Sequence, residues 1–201
     1  MNCIGHFIHY ALFVVSLLMV HEENHPMKSD HNPTETTIID FNKSISSSWQ
    51  IVNDNVMGGV SRSSFKMHED GYAVFSGVLS LENNGGFASV RALSRQASDL
   101  SDFDGLSINA LGDGKIYCIR LRTIQNGRGT WYTYEARFKT TAGEWGTYFV
   151  PYTAFKPEFR GRMLRGMPEL NPDAIIEIGF MIQDKQEGNF RLALKKLNGY
   201  K

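Results

Sequence analysis

The sequence is poor in cysteine, nearly empty of histidine beyond its first 31 residues, and without any sustained helical period. Its two cysteines, Cys3 and Cys118, cannot make a disulfide framework, since loss of Cys3 with a leader would leave no partner. Cys118 reads as a small buried or half-buried strand residue. Five of six histidines (His6, His9, His21, His25 and His31) lie near the N-terminus, and His68 stands alone in the body of the chain. A Ser-His-Asp or Cys-His nucleophile needs a base within hydrogen-bond reach. His68 falls in KMHEDG, which reads as the hairpin turn before Tyr72. The stretch HEENHPMKSDH has metal-ligating side chains, but its spacing fits no structural zinc site.

Charge of one sign is also missing. Twenty-one Lys and Arg balance 21 Asp and Glu, so no global field draws the chain to nucleic acid or an anionic membrane. Nucleic-acid binding needs a basic stripe, and none stands out.

The first basic residue is Lys28. Ahead of it, Ala11 to Val20 read ALFVVSLLMV, the length of a signal-peptide core and short for a membrane span. The segment lacks the positive start of a secretory signal and the arginines of a mitochondrial transit peptide. Residues 1–26 therefore read as a signal, an anchor or a mis-called start, with Met27 as the competing initiator. That gives export or anchoring if the segment is real and a cytoplasmic location otherwise, with membrane contact only through it. Residues 27–36 read as a flexible linker, and 37–201 as the folded domain.

What the domain has is period two. Strands are expected at Ile38–Phe41, Trp49–Val52, Tyr72–Leu81, Phe87–Arg91, Gly105–Leu111, Lys115–Arg122, Thr130–Phe138, Trp145–Val150, Ala174–Ile182 and Asn189–Leu197. In the third of these, Phe75, Gly77, Leu79 and Leu81 share a face. In the sixth, Tyr117, Ile119 and Leu121 oppose Cys118, Arg120 and Arg122. Gly112-Asp113-Gly114 makes a tight turn between two strands. Ser94–Leu100 and Pro151–Phe155 allow a helical turn each. Short strands with Gly, Asn and Asp between them indicate an all-β, jelly-roll β-sandwich.

Two motifs invite chemistry. NDNVMGGVS, at Asn53 to Ser61, has neither the G-x-x-x-x-G-K-[ST] of a phosphate loop nor the G-x-G-x-x-G of a dinucleotide fold. Asp54 and Asn55 are expected to satisfy backbone N–H groups, Gly58 and Gly59 to supply unusual dihedrals or close contact, and Val56 and Met57 to tuck beneath the sandwich. A second glycine pair, Gly85-Gly86, precedes the Phe87 strand, and the competing reading has the NDNVMGGVS loop border a binding face. DFDG at Asp102 to Gly105 suggests calcium, but lacks the carboxylate ladder and distal glutamate of an EF-hand loop and reads as a turn.

The better functional candidate is the polar side of the strands. Arg120 and Arg122 share it, and Arg91 and Ser89 join if their strand faces alike. One of two rows, Trp131, Glu135 and Arg137 or Tyr132, Tyr134 and Phe138, must also be outward. Arginines beside an aromatic platform stack on a sugar ring or grip a carboxylate, and the same residues dominate protein interfaces. Loop KPEFRGRMLRG adds Lys156, Arg160, Arg162 and Arg165, with Phe159 as anchor. No paired carboxylates at recognisable spacing, histidine constellation or cofactor fingerprint appears, so the expectation is no enzyme, no catalytic residue, no cofactor and no metal site.

Five stretches in order, NDNVMGGVS, FSGVLSLENNGGFASVR, DLSDFDGLSINALGDGKIY, WGTYFVPYTAFKPEFRGR and IGFMIQDKQEGNFRLAL, make the chain resemble the complex I intermediate-associated protein 30 family. The likeness runs from about Phe41 to Leu197. It implies a galactose-binding-like β-sandwich and a chaperone-like assembly factor for respiratory NADH dehydrogenase or a similar protein complex, with a protein partner and no reaction of its own. Kinship of that fold with carbohydrate-binding modules keeps a glycan-binding role open, on an exported or cell-surface protein. The missing basic transit peptide argues against a mitochondrial location.

Overall fold

The computed structural model describes residues 33–43 and 49–201. The apolar N-terminal segment lies outside them, and among the described residues no helix is long and apolar enough to cross a membrane. The domain is two antiparallel sheets packed face to face. The first contains β3 (Arg62–His68), β4 (Tyr72–Leu79), β6 (Gly105–Leu111), β10 (Trp145–Pro151) and β14 (Gly188–Tyr200), in the order β10-β6-β14-β4-β3. β1 (Glu35–Asp40) pairs with β14 beyond the end of β4. The second contains β2 (Trp49–Asn53), β5 (Ala88–Ser98), β7 (Ile116–Gln125), β9 (Thr133–Lys139), β11 (Lys156–Phe159), β12 (Arg162–Met163) and β13 (Ile175–Ile182). Their order is β12-β11-β9-β7-β13-β5-β2, with the short β8 (Arg128–Gly129) beside β7.

Alternation builds the core. Tyr117, Ile119 and Leu121 of β7 are fully buried, as are Phe75 and Leu79 of β4, Leu106 and Ile108 of β6, and Phe180 and Ile182 of β13. Each such side chain contributes about 1.5–3 kcal/mol by leaving water. Cys118 is buried too, although it points away from the core, because Gln183 and Glu135 cover it.

Several expectations shift. Leu81 does not share the Phe75 face: it is exposed, past the end of β4. β3 was not foreseen, since RSSFKMH has one strong apolar residue and lies at a sheet edge. His68 closes β3 and stacks on Tyr72, with ring centroids 4.5 Å apart, and the turn itself is Glu69 to Gly71. Residues Ser94 to Ser98 extend β5, where the sequence allowed a helical turn at most. Tyr152–Ala154 does form one 3-10 turn. β11 and β12 were masked by Pro157 and the run of basic residues.

The expected turn at Gly112–Gly114 is organised by Asp113. Its carboxylate accepts from the Lys115 amide at 3.1 Å, the Tyr117 hydroxyl at 3.0 Å and the Arg191 amide at 2.9 Å. Tyr117→Phe keeps the ring and removes one of these bonds, so it should cost about 1 kcal/mol in urea unfolding. A change within error would mean that the hydroxyl contributes nothing.

Candidate functional site

Asp54 is the structural centre of the NDNVMGGVS loop. It is buried, and its carboxylate accepts from the Ser61 amide at 3.0 Å and the Ser61 hydroxyl at 2.5 Å. Across the chain it accepts from the amides of Gly86 at 2.7 Å and Phe87 at 3.4 Å. Burial pushes its pKa up, but the Ser61 hydroxyl and these amides outweigh it and hold the group below the ordinary carboxylate value. Gly59 and Gly85 leave room for the carboxyl group. A Cβ at Gly59 would lie 2.4 Å from the Asp54 carboxyl carbon, and one at Gly85 would lie 2.5 Å from its Oδ2. Asp54 thus ties two glycine loops together. Gly58 takes a left-handed φ of 92° to close the turn. Asn55 contributes through its carbonyl, which accepts from the Gly58 amide at 3.2 Å, and its side chain is exposed.

Val56 and Met57 do not tuck beneath the sandwich. They are 71% and 55% exposed and form one lip of a cleft of about 660 Å³ on the outer face of the second sheet. Leu81 and Asn84 to Gly86 continue this lip. The other lip comes from the far edge of the sheet: Trp131, 60% exposed, and Phe159 with Arg160 in the β11–β12 turn. Trp131 and Phe159 meet edge to face with centroids 5.0 Å apart, and the Arg160 guanidinium lies 5.2 Å over the Phe159 ring.

The floor is charged. Arg91, Arg120 and Arg122 all reach it, as the alternation of their strands implies, while Tyr132, Tyr134 and Phe138 are the buried row. Of the expected residues, the exposed Arg137, Lys156, Arg162 and Arg165 and the buried Glu135 lie outside the lining. Glu177 of β13 pairs with Arg122 at 2.9 Å and Arg91 at 3.7 Å. Glu135 of β9 lies 3.5 Å from Arg120 and 3.6 Å from Arg137, and accepts from Gln183 Nε2 at 2.6 Å.

Linear spacing had suggested no paired carboxylates, and here the fold decides otherwise. β11 pairs with β9, which brings Glu158 of β11 close to Glu135. Both are buried, and Glu135 Oε2 and Glu158 Oε1 have no donor among the described residues. Burial and the charge of Glu158 push the Glu135 pKa up to about 7, with Arg120 opposing. Nothing in the sequence pointed to Glu158. Its partner is 23 residues away, and only the β9–β11 pairing unites them. Among the described residues, no group of three or more His, Cys, Asp or Glu is placed to hold a metal ion.

Comparison with known proteins places this architecture. A family 11 carbohydrate-binding module from Clostridium thermocellum, solved with a β-1,3-1,4-mixed-linked tetrasaccharide, superposes with a TM-score of 0.63 at 17% identity, covering 82% of this chain and 94% of that one. An agarase superposes with a TM-score of 0.56 at 11% identity, over 83% of this chain and 24% of its own. At these identities the likeness is one of fold: a jelly-roll sandwich of galactose-binding-like type.

In sequence, a Caenorhabditis elegans protein described as a probable mitochondrial complex I intermediate-associated protein 30 is 27% identical over 158 residues. The match covers 71% of this chain but 46% of the nematode protein, so the chain spans about half of that relative's length. An uncharacterized protein of Schizosaccharomyces pombe is 28% identical over 169 residues, covering 74% of this chain and 76% of its own. The family model described as complex I intermediate-associated protein 30 matches residues 39–194, nearly the whole sandwich, and the chain belongs to that family.

Proposed function

We propose that the chain is a non-catalytic binding module that acts in the assembly of a protein complex, with respiratory complex I as its first candidate. Family membership supports the class. The observation that carries the reading is the cleft, where arginines on rigid central strands lie between lips bearing exposed Met57, Trp131 and Phe159. Half-buried arginine and exposed aromatic side chains at one site are what a partner-binding surface needs. The carboxyl pair does not make a reaction centre by itself: no histidine is among the described residues that line the cleft. A crosslinking pull-down from the native host, with and without residues 1–26, is the test. NADH dehydrogenase subunits should be recovered, and the fraction that yields them gives the compartment. Recovery no higher than background would end the respiratory reading.

A second reading, a carbohydrate-binding module, is favoured by the Trp131–Phe159 pair beside hydrogen-bonding floor residues. A solved structure of the same fold holds a tetrasaccharide, which makes glycans a natural probe. This reading expects retention on a neutral glycan affinity gel that Trp131→Ala abolishes. No retention of the intact domain would eliminate it.

A further inference from the structure

The donors and acceptors of the cleft floor are unequally satisfied. Glu135 Oε2 and Glu158 Oε1 are buried without a donor among the described residues, Glu135 Oε2 lying 3.5 Å from Arg120 Nε. Arg120 Nε and Arg122 Nε are buried without an acceptor among the described residues. Arg120 spends two further donors on neutral groups, the Thr133 hydroxyl at 2.6 Å and the Met181 sulfur at 3.3 Å, while its contact with Glu135 is 3.5 Å and is not a hydrogen bond. Arg122 shares Glu177 with Arg91. Arg160 rests on an aromatic face at the lip. In and around the cleft, six cations (Arg91, Arg120, Arg122, Arg137, Arg160 and Lys185) face four carboxylates (Glu135, Glu158, Glu177 and Asp184).

We infer that the cleft takes an extended, acidic segment of a protein partner, a side-chain carboxylate lying over Arg120 and Arg122 and apolar neighbours against Met57 and Trp131. The excess of guanidinium donors calls for an anionic acceptor, which arginine engages in a planar fork. The two lips are apolar, so the segment must alternate acidic and apolar side chains, as an extended strand does. This inference rests on the cleft being the partner face.

The test uses the full chain and a fluorescent eight-residue peptide of alternating leucine and glutamate, with glutamine and lysine counterparts. By fluorescence anisotropy the glutamate peptide should bind about tenfold or more tightly than the glutamine one, since one good charge pair is worth about that factor. Binding should weaken between low and high salt. Arg160→Gln, at an exposed turn, should weaken it without unfolding risk, and Arg120→Gln, assayed where its circular dichroism is still native, should weaken it further. Equal binding of the glutamate and glutamine peptides, preference for lysine, or no binding of any would overturn the inference. So would a neutral oligosaccharide that binds through Trp131 while the acidic peptide does not. If the acidic peptide binds but the pull-down recovers no respiratory subunit, the surface stands and the assembly role falls. If subunits are recovered equally by Arg120→Gln, the assembly role stands and this surface falls.

Discussion

Asp54→Ala should destabilise the domain by about 3–5 kcal/mol, as removing one member of a buried, charge-assisted set does. The substitution leaves the amides of Ser61, Gly86 and Phe87 facing a void where a carboxylate had accepted from each. It also unties the loop carrying Met57 from the loop carrying Gly85 and Gly86, both of which form one lip of the cleft. The loss should appear as a lower urea midpoint at unchanged slope. Asp54→Asn retains one carbonyl acceptor and should recover part of the loss. If Asp54→Ala costs less than about 1 kcal/mol, the carboxylate is not what ties these loops.

Glu135 controls the second large effect, and its sign is opposite to the usual carboxylate case. The folded-state pKa is pushed up to about 7, above an ordinary glutamate value of 4.5. Between those values the folded protein holds a proton that the unfolded chain has released. Stability is therefore highest below the unfolded value and falls as pH rises through 7. The groups facing the carboxylate are Arg120 and Cys118 of β7, Arg137 of β9, Glu158 of β11, and Gln183 and Asp184 after β13. At 1.36 kcal/mol per pK unit, the loss between pH 5 and 8 is about 2–3 kcal/mol. Glu135→Gln, which still accepts from Gln183, should flatten the dependence. Unfolding curves of wild type and variant at pH 5 and pH 8 decide it. Parallel losses in both would place the titration elsewhere. Asp54 acts in the other direction: its lowered pKa contributes stability that disappears only as pH falls through that value. Together the two groups set the stability maximum on the acidic side of neutrality.

The elements that were legible in the sequence are those whose strands are amphipathic and cross the middle of a sheet. In β7, alternation assigned both the buried Tyr117–Ile119–Leu121 row and the cleft arginines, because a strand with one face in the core has no other way to lie. β3 and β11 were hidden for the complementary reason. β3 lies at the edge of its sheet and β11 is covered there only by the two-residue β12, so RSSFKMH and KPEF contact water on more sides and carry little apolar signal. The glycines of NDNVMGGVS could be read as a structural requirement, but not the residue that imposes it. Asp54 reaches Gly86, 32 positions along the chain.

Taken alone, the order of residues determined the class of fold, the inward and outward rows of β7, and the family, since all three follow from local period two and from motifs read in order. The tertiary structure alone decided that Val56 and Met57 face solvent, that Glu158 meets Glu135, and that loops at opposite edges of one sheet close on a common cleft. Those contacts join segments distant in sequence, and sheet pairing is a long-range choice made by packing the whole interior, which no local pattern encodes.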